Sequence, residues 1–476
     1  MTDPNFPQMS PLDQLRMVLL HNVNALGRGI VIARPKVALL LDRLQADRRL
    51  IAMMDRLHEE HQGDPVWTKG ITGSTLVALS PSDCRRVLGG SDQTYAMATP
   101  LKRRMMGHFQ PDGVILTRPG ELRTHRRQFN EVVLDWGREV HREAATFIKV
   151  VNEEVDALLQ GPMATGRPLT YRSIRRIFQR IGRRCVLGDA AAEDVEMSEL
   201  LDALRREGNW LGLRFWRRNR THALRARFVD RVHRYVELGQ RGSLVGRFAD
   251  LPTEARLHPS GQVAHWLMAF DIQPVVITRA LALLSTHPQH LTPIEEELAD
   301  ADRFHGTGSA QAVLAMPYLR ASVMEAARLW PVVRDLARVM ARDADWDGRL
   351  VPQDAEVLIS TVYHGRAAYR GRAANRFTPQ QWIDGSADGD WGLSPASRGP
   401  AGCPGADLGF FLITGFLAAT LRKARFRLLT QELRPDIPLP VNFDPFHAKF
   451  AVADKPDAPP TVMVSMGPGN EDYGED

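Results

Sequence analysis

Cysteine is scarce in this chain, and that narrows what its thiols can do. Three occur in 476 residues, at positions 84, 185 and 403, and none sits at metal-clip spacing from another. A disulfide framework is not expected. A cysteine that does chemistry here must act alone, as nucleophile, redox thiol or single axial ligand. Cys403 has the setting for it, in Gly399-Pro400-Ala401-Gly402-Cys403-Pro404-Gly405. Gly399, Gly402 and Gly405 let the backbone approach a flat group closely and turn N–H groups toward the sulfur. A helix is predicted from Gly405, and its N-terminal end favours negative charge on the thiol. Cys84 and Cys185, without such a collar, read as buried structural thiols.

A second constellation precedes the first by 75 residues, counted from Arg328 to Cys403. Glu325-Ala-Ala-Arg328 places a carboxylate and a guanidinium one helical turn apart, able to pair and then to bond a neighbouring loop. Further upstream, Gly120-Glu-Leu-Arg-Thr-His-Arg-Arg127 gathers three arginines and a histidine within eight residues.

These side chains need rigid elements to hold them. Apolar residues recur at three and four over Leu39 to Leu57, and helices are predicted across Gly120 to Val133, Arg138 to Leu159, Tyr171 to Leu187 and Ser198 to Arg214. Phe215 to Glu237 keeps Phe228, Val232, Tyr235 and Val236 on one stripe and reads as amphipathic helix. Gln262 to Thr286 is apolar nearly all round, which belongs in a protein's centre, and Pro274 inside it should kink it. A helix ends near Trp330. Short strands are predicted at Thr75 to Ala78, Ala337 to Met340, Glu356 to Ile359, Ala448 to Val452 and Thr461 to Val464. Pro81-Ser82-Asp83 reads as a helix start, and Asn375 to Pro400 as a long loop.

Composition is that of a soluble globular protein, 44% apolar and 25% charged, with 61 basic and 56 acidic residues giving a net charge of +5. No run of 18 uncharged apolar residues is present to span a bilayer, the nearest, Gly29 to Leu41, being broken by Arg34, Pro35 and Lys36. No signal segment is read at the N-terminus, so a cytoplasmic protein without membrane attachment is expected. Basic clusters at Lys102 to Arg104, Arg123 to Arg127 and Arg214 to Arg227 lack zinc-finger spacing or an aromatic-and-glycine RNA signature. They are expected to be solvated helix faces or a docking patch for an acidic protein, with no nucleic acid as partner.

Taken in order, the Glu-x-x-Arg helix and the cysteine loop resemble the cytochrome P450 superfamily of haem-thiolate oxygenases, specifically its bacterial-type soluble members. The resemblance implies a mainly α fold with small β-sheets, one haem-enclosing domain over 1–453, and a terminal strand with a polar acidic tail over 454–476. It implies haem b (iron protoporphyrin IX) as cofactor and Cys403 as iron ligand, the thiolate donating electron density that favours O–O cleavage. It further implies haem-binding roles for His125, Arg126, Arg338, Gly399 and Gly405, and a structural network on Glu325 and Arg328. The arginine that usually completes that network is replaced by Gln381, for which Arg376, His364 or Arg366 could substitute. Leu122, Ala396 and Ala401 also depart from the family's usual residues.

The central helix departs most. Oxygen-using members carry an acid–alcohol pair there, which relays protons. This chain reads Phe270-Asp-Ile-Gln273-Pro274-Val-Val276-Ile277-Thr278, which sets Pro274 at the usual glycine, Val276 at the acid and Ile277 at the alcohol. Sliding by one brings Thr278 to the alcohol position and still supplies no acid. A polar residue followed by proline, here Gln273-Pro274, is similar to the peroxide-using members. Phe270, Val333 and Arg334 are the candidate substrate contacts, Arg334 as anchor for an acidic one. The expected activity is oxidation, by default hydroxylation, of an apolar or amphipathic small molecule. Peroxide-dependent oxygenation, or desaturation, coupling or rearrangement, stands beside it, as does a non-catalytic haem protein. A ferredoxin-type redox partner and a monomeric state are expected.

Overall fold

In a computed structural model that describes residues 6–70, 73–251 and 257–455, helices form the bulk of the molecule and three small sheets lie at its margins. The five-stranded sheet contains β1 (Val66–Gly70), β2 (Gly73–Val77), β3 (Tyr95–Ala96), β5 (Arg338–Met340) and β8 (Glu356–Leu358), in the order β1-β2-β8-β5-β3. β2 and β8 are parallel, with Thr75 opposite Glu356 and Val77 opposite Leu358, and the other pairings are antiparallel. β4 (Leu169–Thr170), β10 (Lys449–Asp454) and β9 (Ala424–Leu428) make a second sheet, and β6 (Ala344–Trp346) with β7 (Arg349–Val351) a hairpin. β1, β3, β4, β9 and the β6–β7 hairpin have no counterpart among the predicted strands.

The helix Ser260–Thr286 runs through the core, as its all-round apolarity predicts, and it is continuous through Pro274. By length and composition it is apolar enough to cross a membrane, despite Asp271 and Arg279. However, 78% of its most apolar window is buried inside the protein, where the helices Tyr171–Leu187, Pro317–Leu329 and Ala406–Lys423 pack against it. Gly182 permits the closest of these approaches. A Cβ there would stand 2.9 Å from that of Phe270, so a larger residue would push the two helices apart.

The stretch 39–57 is two helices, not one. Pro35–Arg43 stops at Leu44, Gln45 takes a left-handed conformation (φ 52°), and Ala46–Glu60 begins anew. The helix at 81 starts as its sequence indicates. Ser80 and Asp83 form a capping box that satisfies N–H groups at the first turn. Its burial pushes the Asp83 carboxyl up to about 6. The arginines of helix Arg218–Leu238 include Arg227 and Arg231, paired with Glu196 and Asp194, which is the expected ion-paired surface. The strand expected at Thr461 to Val464 and nearly all of the acidic tail lie outside the described residues.

Candidate active site

Cys403 occupies the turn that launches helix Ala406–Lys423. Its N–H donates to Ala396 O at 3.1 Å, and Ala406 N–H donates to Cys403 O at 3.2 Å, so the loop is pinned on both sides of the thiol. The side chain opens onto an interior cavity of about 1230 Å³, and the sulfur is accessible from that cavity while protein encloses it elsewhere. Burial pushes the thiol above its ordinary value, opposed by the Gly405 N–H and the Arg127 charge. Cys84 and Cys185 are free and buried, as predicted.

Of the glycine collar, Gly402 and Gly405 line the cavity. Gly399 does not, which corrects its assignment to the cofactor. Its φ is +69°, and a Cβ would lie 2.0 Å from Leu88 O. What requires glycine at 399 is close contact with the end of helix Pro81–Gly89.

The cationic helix Glu121–Val133 also presents different residues from those expected. His125 is half-buried and away from the cavity wall. Arg126 is buried in a structural cluster, donating to Leu257 O (3.2 Å), Thr117 Oγ1 (3.0 Å) and Asp112 Oδ1 (3.0 Å). The wall instead receives Arg123 and Arg127, four residues apart on one helix face. Arg127 donates through Nη1 to Gly402 O in the cysteine loop and through Nε to Glu131 at 2.5 Å, leaving its buried Nη2 without a partner. With Arg123, Arg126 and Arg127 all buried, this helix is not the acidic-protein docking patch that its charge suggests.

Arg123 belongs to a group of three cations with Lys102 and Arg338. Arg338 donates to Ser397 Oγ at 3.1 Å, which is itself on the cavity wall, so its site assignment fits the geometry although its own atoms stand behind that wall. Burial and the Arg123 charge pull Arg338 down to about 10. Burial, then Arg338, pull Lys102 down to about 7. Asp92 pairs with Arg123 at 2.7 Å, while Lys102 donates to the carbonyls of Met97 and Ala337 and is partly offset by the Glu356 charge. Buried cations that depress one another in this way favour an anionic ligand.

Glu325 and Arg328 form the predicted pair, fully buried, at 2.6 Å. Arg328 also donates to the carbonyls of Gly365, Ala373, Ala374 and Arg376. Gln381 takes up the third place itself, donating Nε2 to Glu325 at 2.8 Å, and Trp382 adds its indole N–H at 2.9 Å. A neutral donor is enough because Arg328 already neutralises Glu325. Arg366 and His364 are committed elsewhere, Arg366 to the carbonyls of Leu329 and Pro440 and His364 to Cys84 and Tyr369.

On the central helix, Phe270, Gln273 and Val276 face the cavity, while Pro274 and Ile277 do not. Ile277 is fully buried in the core, so the position matched to the relay alcohol points away from the reaction space. Thr278 is satisfied by Pro274 O at 2.7 Å and is buried too. An acid does face the cavity, five residues before the position at which the motif places it. Asp271 is held by Arg175 (2.9 Å), Gln179 (2.9 Å) and Arg205. His265, two turns further upstream, also lines the cavity with its Nδ1 unpartnered. Burial pulls its imidazole down to about 4.

Val333 and Arg334 line the cavity as expected, but Arg334 is not free to anchor a ligand. Asp47 accepts from its Nη1 at 3.1 Å and Nη2 at 2.5 Å, and Arg28 and Asn24 converge on the same carboxylate. Beside it, Asp335 pairs with His21 at 2.9 Å. Burial works against charge on His21, yet Asp335 outweighs it and holds the imidazole at about 9. The raised pKa gives the fold stability that is fully present below about pH 6.5 and is lost as pH rises through about 9. In thermal melts, the stability difference between wild type and His21→Gln should shrink over that window, by up to about 3 kcal/mol. A difference independent of pH would show that the pair is not an ion pair.

The helical order, the marginal sheets and a cysteine presented at a helix start onto a central chamber are the cytochrome P450 fold. Residues 274–446, which include Glu325, Arg328 and Cys403, match the cytochrome P450 family model. The chain is 28% identical over 216 residues to cytochrome P450 78A3 of Glycine max, covering 41% of each protein. It is 30% identical over 164 residues to the cytochrome P450 monooxygenase sthD of Phaeosphaeria nodorum, 32% of this chain and 33% of that one. It is 30% identical over 152 residues to the mitochondrial 25-hydroxyvitamin D-1 alpha hydroxylase of Rattus norvegicus, 31% and 30% respectively. The matches thus span less than half of these relatives. Together these findings support the cytochrome P450 superfamily for this chain. The relatives are a plant, a fungal and an animal protein, and they do not support the bacterial-type soluble qualifier.

Proposed function

We propose that this protein is a haem-thiolate oxidoreductase that binds haem b and oxidises an apolar or amphipathic small organic molecule. The observation that carries the reading is the Cys403 thiol opening onto a chamber that the apolar central helix helps to wall. The residues present fit a haem group. Lys102, Arg123 and Arg338 supply buried positive charge for its carboxylates, and Arg127 keeps one buried N–H unpartnered beside the cysteine loop. When bound, the haem supplies redox chemistry at an iron that the Cys403 sulfur would hold.

The chain's own contributions are burial, orientation and limited proton handling. Val276 and Phe270 exclude water from the space facing the central helix. Gln273 lies there with its Oε1 unpartnered, able to fix a water or a substrate hydroxyl but not to donate a proton as an acid does. Asp271 is engaged by two arginines. General acid–base help is typically worth ~10²–10⁴-fold, and a site without it should favour an oxidant that already carries its protons.

Peroxide-dependent turnover is therefore the favoured variant, with desaturation, coupling or rearrangement as further outcomes. Electrons would otherwise come from a ferredoxin-type partner, and the protein is read as a cytoplasmic monomer. With haem-loaded protein and a panel of apolar and amphipathic compounds, peroxide should yield more product per oxidant than NADPH with a ferredoxin system. Tight NADPH coupling would show another proton route, and conversion by neither oxidant would sink the enzyme reading.

A further inference from the structure

The cavity touches a second group of charges, distinct from Lys102, Arg123 and Arg338. It contains Arg28, His21, Arg334 and Arg279 against Asp42, Asp47 and Asp335. With His21 protonated at neutral pH, four cations face three carboxylates, and the pairing shows which cation is in surplus. Arg28 is held by Asp42 and Asp47, Arg334 by Asp47, and His21 by Asp335. Asp444, the next carboxylate outward, accepts from Phe446 N–H and pairs with His447. Arg279 lines the cavity from the central helix, one turn beyond Val275 and Val276, and has no carboxylate partner among the described residues. Its Nη1 donates to Trp330 O at 2.6 Å, and its Nε has no partner. Burial and Arg334 pull it down only to about 10, so it remains charged at neutral pH.

Asp42 acts on Arg279 from a distance, but a buried cation with no carboxylate in contact among the described residues, facing a cavity, is half of an ion pair. We infer that the substrate is an organic monocarboxylate whose carboxylate pairs with Arg279 while its apolar body lies along Ile272, Val275 and Val276, opposite Val332 and Val333. One surplus charge matches a monoanion. A phosphate dianion would call for further donors, and Arg28, His21 and Arg334 are already committed. The anchor expected at Arg334 is thus relocated to Arg279, because Asp47 occupies the former. This inference rests on the haem-and-substrate reading of the chamber, which assigns the other cation group to the cofactor.

The test uses the full chain reconstituted with haem. Dodecanoate and naphthoate are titrated against the matching alcohols, dodecanol and naphthalenemethanol, with the haem absorbance shift and calorimetry as parallel readouts. The acids should bind about 10- to 100-fold more tightly than the alcohols. Arg279→Gln should abolish that preference and leave alcohol binding unchanged. Arg279→Lys, which keeps the charge, should retain most of it and guards against a folding defect. Equal affinity of acids and alcohols, a preference that survives Arg279→Gln, or no binding by any of the four overturns the inference. Failure to load haem would instead overturn the functional reading, and calorimetry would still report whether Arg279 selects acids.

Discussion

Glu325→Ala is expected to destabilise the protein by about 3–5 kcal/mol, a large fraction of the roughly 5–15 kcal/mol that holds natural domains folded. The carboxylate is fully buried and accepts from Arg328, the Thr378 N–H and hydroxyl, Gln381 and Trp382. Removing it strands the Arg328 guanidinium, itself buried, in a setting where its remaining partners are carbonyls. An unpaired buried charge costs far more than a lost surface contact. Those same carbonyls belong to the segment 365–376, so the damage should spread into the turns that lead to the cysteine loop. Urea denaturation would measure it as a lower midpoint. Gln381→Leu, which removes one neutral donor, should cost only about 1–2 kcal/mol. If Glu325→Ala cost no more than Gln381→Leu, the pair would not be the anchor that its burial suggests.

The parts of this architecture legible in the sequence are those fixed by local chemistry. The cysteine loop, the Glu-x-x-Arg turn and the apolar central helix each carry their cause within a few residues, and apart from Gly399 each is found where it was expected. Misassigned residues are those whose role depends on which way a helix faces. Arg126 and Arg127 are neighbours, yet one is consumed by Asp112 and Thr117 while the other reaches Gly402. The four-residue spacing of Arg123 and Arg127 was a usable signal, since both must share a face. Similarly, Ile277 matches a motif position but points into the core, while Asp271, six residues earlier, reaches the cavity. Lys102 and Arg279 could not be singled out at all. Each is one basic residue among 61, and what distinguishes it is burial beside the cavity, which only tertiary packing creates. The short strands β1, β3, β4, β6, β7 and β9 went unpredicted because edge pairing in five residues or fewer leaves little periodicity to read.

Cys403→Ser should abolish the reduced, CO-bound absorbance band that marks thiolate ligation, with complete loss as the expected magnitude. A serine hydroxyl at this position stays protonated, since nothing in the loop could lower its pKa enough. The cysteine differs in kind. In the bare site burial raises its pKa, and only the Gly405 N–H and Arg127 oppose this. A bound metal inverts that balance, because a coordinating thiol is deprotonated outright. The loop is built to tolerate the resulting anion. Its following helix begins at Gly405, the Arg127 guanidinium bonds the adjoining Gly402 carbonyl, and the sulfur has no other partner to lose. The substitution removes one atom's identity and little packing, so the variant should fold and still admit haem into the chamber through Lys102, Arg123 and Arg338. Cys84→Ser and Cys185→Ser serve as controls and should keep the band wherever they fold, since both thiols are buried in the core away from the cavity. Persistence of the band in Cys403→Ser would remove Cys403 as the ligand and, with it, the central assignment of the site.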